Sequence, residues 1–335
     1  MSAAPRLLVL SPVFHGYWRS IERAFRRLGY DVTSVAYDAH PGWSDRTRAK
    51  VSHELAERLG GAGEARRRRD HTERALAALR EVDPEVVLVV KGDTFEAPVW
   101  DAVAGRRRAL WLYDELRRTG HTDASLAAAG PVASYSPDDV ATLAAAGLRS
   151  VHVPLAHDPD VVFSPRARDE VVFVGARYPT REHLLTSLAA SDVPVRAYGR
   201  DWSGHAVDRL RTWRLHQPAV PHGRDLPRDE AYGVMAGARA TLNVHGDQDG
   251  FTMRTFEASG VGAVQLVDRA DVSRHYEPGT EVAVFGSPEE AAHLARRAAT
   301  DPAWANGIRA AGRRRTLAEH TFVHRARDLE ALWTA

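Results

Sequence analysis

The chain has no cysteine, and only Lys50 and Lys91 among its 45 basic residues are lysine. Without cysteine it can form no disulfide framework, no zinc–thiolate site and no catalytic thiolate. Its 16 histidines show no H-E-x-x-H or similar metal-ligand spacing, so we expect no metal site and no bound cofactor. The formal net charge of +1 argues against bulk electrostatic binding to nucleic acid or to a membrane surface.

Long apolar runs are also absent. No stretch approaches the roughly 18 apolar residues that a bilayer-spanning helix needs. Residues 1–5 lack the charged-then-apolar order of a signal peptide. We therefore expect a cytoplasmic protein without integral membrane contact. The length of 335 residues, with 44% hydrophobic and 27% charged residues, suits two globular domains that each bury a core.

Short apolar runs alternate with helical patterns through the first half of the chain. Arg6–Leu10 is predicted as a buried strand, Tyr17–Leu28 as a helix and Tyr30–Ala36 as the next strand. Further strands are predicted at Val86–Val90, Ala109–Tyr113, Pro131–Ser134 and Ser150–Val153. About five parallel strands with helices between them predict a Rossmann-like domain over residues 1–158. Because no G-x-G-x-x-G occurs, a conventional dinucleotide site is not expected.

Several polar residues follow predicted strands of this first domain. Ligands of doubly wound sheets bind beyond the carboxyl ends of the strands, so we expect these side chains at one rim: His15, Lys91, Asp114 and His157. The histidines and the aspartate could equally be helix caps or loop residues. Lys91 is the stronger candidate, because it is one of two lysines and directly follows a buried strand. The four arginines at 66–69 are interpreted as a solvated helix face.

The pattern restarts after a proline-containing connection at Leu155–Arg168. A strand at Glu170–Gly175 and a helix at Glu182–Ala190 begin the second domain, predicted over residues 169–315. Its further elements are a strand at Pro194–Gly199, a helix around Asp229–Ala236, a strand at Glu281–Phe285 and helices at Pro288–Thr300 and Pro302–Arg315. A third segment, residues 316–335, contains an amphipathic helix at Glu319–Leu332.

The most informative stretch is residues 240–267. Apolar runs at Ala240–Val244 and Ala263–Val267 flank a polar loop and a short helix at Phe251–Ser259, which predicts a βαβ unit. The helix N-terminus can bind an anion through free N–H groups and its dipole. Arg254 and Glu257 share one helix face; a guanidinium can bind phosphate, and a carboxylate can accept from two sugar hydroxyls. The alternative is a solvated surface ion pair.

Asp249 through Glu257, D-G-F-T-M-R-T-F-E, resembles the acidic-x7-Glu motif of GT-B glycosyltransferases. FVGARYPTRE, YGRDW, TLNVHGDQDG, RTFEASGVGAVQL and EHTFVHRARDLEAL, with VVKGD and LWLYD before them, resemble the glycosyltransferases related to the spore-maturation protein CgeB. The resemblance implies an α/β GT-B fold, in which two Rossmann-like, doubly wound parallel-sheet domains face each other across a cleft. The first would bind the acceptor and the second the nucleotide sugar, and the last helix would pack back toward the first domain.

The resemblance also implies a donor site. The donor diphosphate would be bound by Arg177, Arg181, Arg254 and the backbone N–H groups of Thr252 and Met253. The alternative for Arg177 and Arg181 is a pair of surface arginines. Glu257 would hold the ribose, and the loop containing Gly199 and Arg200 would approach the base. Trp202 in that loop could stack on the base or belong to the core.

The donor sugar would be faced by four further residues: Asn243, His245, Asp249 and Lys91. Asp249 stands where the family usually has glutamate, and its side chain is shorter than that of glutamate. If the reaction inverts the anomeric carbon, a general base is needed; His15 is the candidate, with Asp114 behind it.

We therefore predict a metal-independent glycosyltransferase that moves a sugar from a nucleotide-diphosphate sugar to a hydroxyl or amine of a small-molecule or protein acceptor. Two alternatives stay open. A nucleotide-sugar epimerase would need a carboxylate base facing the sugar C2 carbon. A donor-binding scaffold protein would bind the nucleotide without turnover.

Overall fold

The computed structural model describes residues 3–39, 62–213, 216 and 219–334. Residues 40–61, to which the sequence assigns no element, lie outside this range. The chain divides into two compact units, Met1–Pro154 with Phe322–Ala335, and Leu155–Thr321. Each unit is built on a six-stranded sheet, and all strand pairs in both sheets are parallel. The doubly wound α/β prediction is thereby confirmed.

The sheet of the first unit has the order β2-β1-β3-β4-β5-β6. Its strands are β1 (Arg6–Ser11), β2 (Asp31–Ala36), β3 (Val86–Val90), β4 (Arg107–Leu112), β5 (Val132–Ser134) and β6 (Ser150–His152). Its helices are α1 (Tyr17–Arg27), α2 (Ala62–Val82), α3 (Ala97–Val103), α4 (Asp123–Ala129) and α5 (Pro137–Ala145). Every residue of β3 is buried, which explains its uninterrupted apolar sequence, because helices cover both faces of a parallel sheet.

The sheet of the second unit has the order β12-β11-β10-β7-β8-β9. Its strands are β7 (Arg168–Val174), β8 (Val195–Tyr198), β9 (His222–Gly223), β10 (Ala238–Asn243), β11 (Gln265–Val267) and β12 (Ala283–Val284). Its helices are α6 (Pro179–Ala190), α7 (Ala206–Thr212), α8 (Arg228–Gly237), α9 (Met253–Gly260), α10 (Pro288–Thr300) and α11 (Pro302–Glu319).

The last helix, α12 (Phe322–Thr334), belongs to the first unit. The rings of Phe25 and Trp333 are 5.7 Å apart. Trp333 Nε1 donates to the Tyr30 hydroxyl at 3.1 Å, and that hydroxyl donates to Glu330 Oε1 at 2.8 Å. The buried indole ring of Trp333 thus packs on an apolar ring while its N–H has a hydrogen-bond partner, and both contacts hold α12 in place. None of the described helices is both long and apolar enough to cross a bilayer.

Candidate functional site

The βαβ unit predicted at residues 240–267 is present as β10, α9 and β11. Thr252 is the N-cap of α9 and has an extended backbone, and its side chain makes no capping hydrogen bond. The first N–H groups of a helix have no intrahelical acceptor. The N-terminus of α9 therefore offers backbone donors and the positive end of the helix dipole to an anion.

Arg254 and Glu257 form an ion pair on α9 in which the carboxylate is buried and the guanidinium is partly exposed. Arg254 Nη1 lies 2.6 Å from Glu257 Oε2, and the side chains are 23% and 0% exposed, respectively. The Tyr232 hydroxyl donates to Glu257 Oε1 at 3.3 Å. The alternative of a solvated surface pair is therefore wrong. A carboxylate buried at this depth has to be matched by a cation and hydrogen bonds, because its desolvation alone is costly.

A network of buried polar side chains fixes α9 against the strands. Asn243 Nδ2 donates to Thr255 Oγ1 at 2.7 Å and to Gln265 Oε1 at 3.0 Å. His245 Nε2 lies 3.1 Å from the same Thr255 oxygen, and His245 Nδ1 lies 2.7 Å from Asp268 Oδ1. Asn243 and His245, both predicted to face the donor sugar, thus have side chains engaged in holding the helix in place.

Arg269 holds the loop that leads into α9. Its Nη1 donates to the carbonyl oxygens of Gln248 and Asp249, each at 2.6 Å. The guanidinium lies 4.4 Å from the centroid of the Phe251 ring, and its Nε donates to Asp271 Oδ1 at 2.9 Å. Sequence reasoning missed Arg269, although its position just after β11, at a carboxyl strand end, is the signal that identified the other candidates.

Arg181 belongs to the first turn of α6, and its side chain reaches the carboxyl end of β10. Its Nε donates to the Val244 carbonyl at 2.9 Å and its Nη1 to the Ala176 carbonyl at 3.1 Å. The guanidinium also stacks on Tyr178, 4.7 Å from the ring centroid. These contacts connect the ends of β7 and β10 beside the loop of residues 245–250 that leads into α9; this loop is named the donor loop for its predicted role.

Arg177, predicted beside Arg181, is paired with Glu182 of α6 at 2.9 Å through Nε. Its Nη1 donates to the His216 carbonyl at 2.8 Å. Both arginine side chains are largely buried, so the alternative of surface arginines is wrong for each. The sequence did not predict the Glu182 partner.

The loop after β8 approaches the sheet closely. Gly199 has φ +153°, and a Cβ at this position would lie 2.4 Å from the Gly175 carbonyl oxygen. Trp202 is fully buried, and its Nε1 donates to the same oxygen at 2.9 Å. Of its two interpretations, Trp202 is therefore a core residue. Arg200 is half exposed and lies 3.8 Å from Asp225.

In the first unit the structure brings Lys91 and Asp114 together. Lys91 follows β3 with φ +64°, and its Nζ is hydrogen-bonded to Asp114 Oδ2 and lies 3.8 Å from Asp93 Oδ2. His15 is exposed in the loop after β1, with φ +49°. Its ring is 5.4 Å from that of Phe14 and 6.3 Å from that of Tyr17.

The placement of His157 at this rim is wrong. His157 belongs to the second unit, where its ring stacks on Tyr232 at 5.3 Å and contacts Gly260 of α9. Burial lowers the pKa of His157 to about 4. Among the described residues, no group of three or more histidine, aspartate or glutamate side chains could hold a metal ion.

Comparison with known proteins relates the sequence and the fold to those of glycosyltransferases. Residues 177–331 match a family model described as "Glycosyl transferase-like". No curated protein sequence matches the chain. Among solved structures, sucrose-phosphate synthase from Thermosynechococcus elongatus has a TM-score of 0.63 and 14% identity over 98% of both chains. HepE from Anabaena, solved with UDP and glucose, has a TM-score of 0.63 and 12% identity, covering 99% of this chain and 100% of its own. A UDP-N-acetylglucosamine 2-epimerase has a TM-score of 0.56 and 14% identity over 100% of this chain and 96% of its own.

At these identities the structural likeness shows the fold, which is that of GT-B glycosyltransferases. The GT-B prediction is confirmed. The glycosyl transferase-like domain spans α9 with its Arg254 and Glu257 as well as the loop held by Arg269. Residues 177–331 thus form a glycosyl transferase-like domain within a chain that has the GT-B fold.

Proposed function

We propose that the protein transfers a sugar from a nucleotide-diphosphate sugar to a hydroxyl or amine of an acceptor, and that it belongs to the CgeB-like group. The observation that carries the proposal is the Arg254–Glu257 ion pair near the N-terminus of α9, in which the Glu257 carboxylate is fully buried. It joins a cation for phosphate to a carboxylate for ribose hydroxyls beside free helix N–H groups. The crystal structure of HepE with UDP and glucose supports a nucleotide-sugar donor.

In this proposal the second unit binds the donor. Negative charge grows on the leaving diphosphate as the anomeric bond breaks, so preorganised donors there stabilise the transition state. Arg254, the N–H groups of Thr252 and Met253, and Arg181 take that role. Arg177 supports it through Glu182 of α6. Each direct contact of this kind is worth about 2–4 kcal/mol in the transition state.

Glu257 orients Arg254 and accepts from the ribose in this proposal, and the Gly199 and Arg200 loop approaches the base. Asp249, together with Asn243 and His245, shapes the sugar end of the site. The acceptor is bound by the first unit, with His15 as general base and Asp114 behind it. No metal ion is required, so turnover should be unchanged by EDTA.

Thermal unfolding with nucleotides tests the donor site. We expect one of UDP, GDP, dTDP, ADP and CMP to raise the melting temperature of the wild-type protein. Ligand at about 100 times its dissociation constant stabilises the fold by about 2.7 kcal/mol. Glu257→Gln, which keeps the side-chain volume, should remove the shift.

Glu230→Gln is the matched control, because Glu230 lies in the same unit and also pairs with an arginine, Arg166 at 3.1 Å. It should keep the nucleotide-induced shift. If no nucleotide stabilises the wild-type protein, or if both variants keep the shift, the donor site proposed at α9 is wrong.

An epimerase is the second candidate, because a UDP-N-acetylglucosamine 2-epimerase shares the fold over the whole chain. An epimerase would convert the nucleotide sugar to its C2 epimer without any acceptor. NMR of the donor incubated with the protein alone distinguishes the two activities. Accumulation of the epimer would favour this candidate, whereas a donor that shows no epimer would count against it.

A further inference from the structure

The first unit contains a cavity of about 500 Å³ beyond the carboxyl ends of β3 and β4. Phe95 and Trp100 contribute two buried aromatic rings to its lining. Polar residues share the lining, among them Arg68, Glu96, Asp101 and His121. Its volume falls in the range of small-molecule sites. Nothing in the proposed donor chemistry uses this cavity, which we call the aromatic recess.

Asp93 lies where the aromatic recess meets a second cavity. That cavity, of about 450 Å³, is lined by Tyr37, Asp38, His71 and Lys91, among others, and Asp93 lines both. Asp93 follows β3 by three residues. Carboxyl strand ends of doubly wound sheets are where ligands bind, so its position suits contact with a substrate.

Within the described part of the chain, one carboxylate oxygen of Asp93 has no hydrogen-bond partner. Its side chain is 12% exposed, and its Oδ1 is buried without a hydrogen bond from any described residue. The other oxygen, Oδ2, accepts from the Gly120 N–H at 3.4 Å and lies 3.8 Å from Lys91 Nζ. Leaving a buried acceptor unsatisfied is costly, so a ligand that donates a hydrogen bond to Oδ1 would remove that cost.

The charges around the recess determine which kind of hydrogen-bond donor a ligand should carry. The carboxylates of Asp93, Glu96 and Asp101 line the recess with a single guanidinium, that of Arg68, and the Lys91 ammonium near Asp93 is shared with Asp114. Arg68 is itself engaged, because its Nη1 donates to the Asp93 carbonyl at 3.3 Å. The surplus of negative charge favours a cation over a neutral hydroxyl.

His121 does not supply the missing positive charge. Its Nε2 lies 2.7 Å from the Lys91 carbonyl and its Nδ1 lies 3.2 Å from Ser125 Oγ. Burial lowers the pKa of His121, so its ring adds no positive charge at pH 7. Of the two first-unit carboxylates near Lys91, Asp114 is hydrogen-bonded to Lys91, and Asp93 is the one with an unpartnered oxygen.

We propose that the aromatic recess binds a small amine-bearing acceptor, whose ammonium group pairs with the Asp93 carboxylate while its apolar part packs on Phe95 and Trp100. That the bound amine is the acceptor of the transfer reaction rests on the proposed function. The binding itself does not depend on that function.

Two matched pairs of probes test the proposal: glucosamine with glucose, and tyramine with tyrosol. Within each pair an ammonium replaces a hydroxyl. We expect NMR titration of the wild-type protein to show one amine binding at least tenfold more tightly than its hydroxyl counterpart. Asp93→Asn should reduce that preference to less than twofold.

Asp101→Asn is the control for bulk charge, because Asp101 is an exposed carboxylate of the same recess. It should keep most of the preference. A second variant, Ala124→Leu, fills the recess from an exposed position of α4 and removes no polar group. It should weaken amine binding at least fivefold, so the proposal does not depend on the folding of Asp93→Asn alone.

The proposal is wrong if neither amine is preferred by the wild-type protein, if Asp93→Asn keeps the preference, or if Asp101→Asn loses it to the same extent. Nucleotide-induced thermal shifts should be equal in wild-type protein, Asp93→Asn and Ala124→Leu. A missing shift in all three would count against the donor site alone, whereas the amine titrations report on the recess alone.

Discussion

At the scale of single residues, the candidate site is held by side chains that satisfy backbone groups. Arg269 is the clearest case, because one guanidinium binds two carbonyls of the donor loop, an aspartate and an aromatic face. A planar fork with five donors makes such a set possible, and lysine could not reproduce it. The conformation of the loop that contains Asp249 is therefore stabilised by Arg269, which lies outside the acidic-x7-Glu motif.

We predict that Arg269→Ala will weaken nucleotide binding five- to fiftyfold. Removing the guanidinium leaves the Gln248 and Asp249 carbonyls without their donor, so the loop must be ordered again when a ligand binds. Dissociation constants for the nucleotide found in the thermal screen, measured by calorimetry, provide the test.

Arg297→Ala is a matched control in the same unit. Arg297 also pairs with an aspartate, Asp301 at 3.3 Å, and stacks on an aromatic ring, that of Trp304 at 4.6 Å. It lies on α10, and its loss should change nucleotide affinity less than twofold. Equal losses in both variants would mean that Arg269 acts on general stability.

Residue types and spacing identified Arg254 and Glu257 as a pair, because three-residue spacing on a helix fixes their neighbourhood. The partners of Arg177 and His245 could not be found in this way. Glu182 is on the next helix and Asp268 is 23 positions away from His245. Such contacts depend on how strands and loops meet in three dimensions, which local sequence does not specify.

At the scale of elements, apolar runs predicted the strands well where both faces are buried. RLLVL, VVLVV and ALWLY became β1, β3 and β4, because parallel strands under helices lack alternation. The sixth strand of the second sheet, His222–Gly223, and helix α7 were not predicted. Two residues without apolar character give no strand signal.

Some predicted strands are shorter in the structure. The strand expected at Glu281–Phe285 is reduced to Ala283–Val284, and the one at Ala263–Val267 begins only at Gln265. Pairing, rather than apolar character, sets these limits: β11 pairs with β12 through two residues only. The flanking apolar residues Val264 and Phe285 are buried and each make one backbone hydrogen bond to a neighbouring strand.

The packing of α9 leads to a prediction about its last residue. A Cβ added to Gly260 would lie 2.3 to 2.6 Å from three atoms of the His157 ring, too close for any real contact. We predict that Gly260→Ala lowers the free energy of unfolding by about 1–3 kcal/mol, the usual cost of overpacking a core. Urea unfolding monitored by circular dichroism measures this change.

Gly307→Ala is the control, because the same glycine-to-alanine substitution should not destabilise the protein at this position. Gly307 lies within α11, and nothing is within 4 Å of an added Cβ. Alanine is about 1 kcal/mol more favourable than glycine in a helix interior, so this variant should be as stable as the wild type or more stable. If Gly260→Ala is equally well tolerated, His157 does not pack on α9 as described.

At the scale of the whole molecule, both units bury a histidine whose charged form the fold disfavours. Burial lowers the pKa of His71 in the first unit and of His157 in the second, each to about 4. The unfolded chain binds a proton at each position below about pH 6.5. Stability supplied by keeping these rings neutral is therefore complete above that pH and is lost as the pH falls toward 4.

We predict that His157 alone accounts for about 2 kcal/mol of lost unfolding free energy between pH 7 and pH 5, from the difference between a pKa of about 4 in the folded protein and about 6.5 in the unfolded chain. His157→Phe keeps an aromatic ring against Tyr232 but cannot titrate, so its unfolding free energy should fall correspondingly less over this range. Urea unfolding at both pH values measures the difference.

His293→Gln, at an exposed position of α10, should keep the wild-type pH dependence. If His157→Phe loses as much unfolding free energy as the wild type, the acid sensitivity arises from other groups. The folded protein then does not keep the His157 ring neutral.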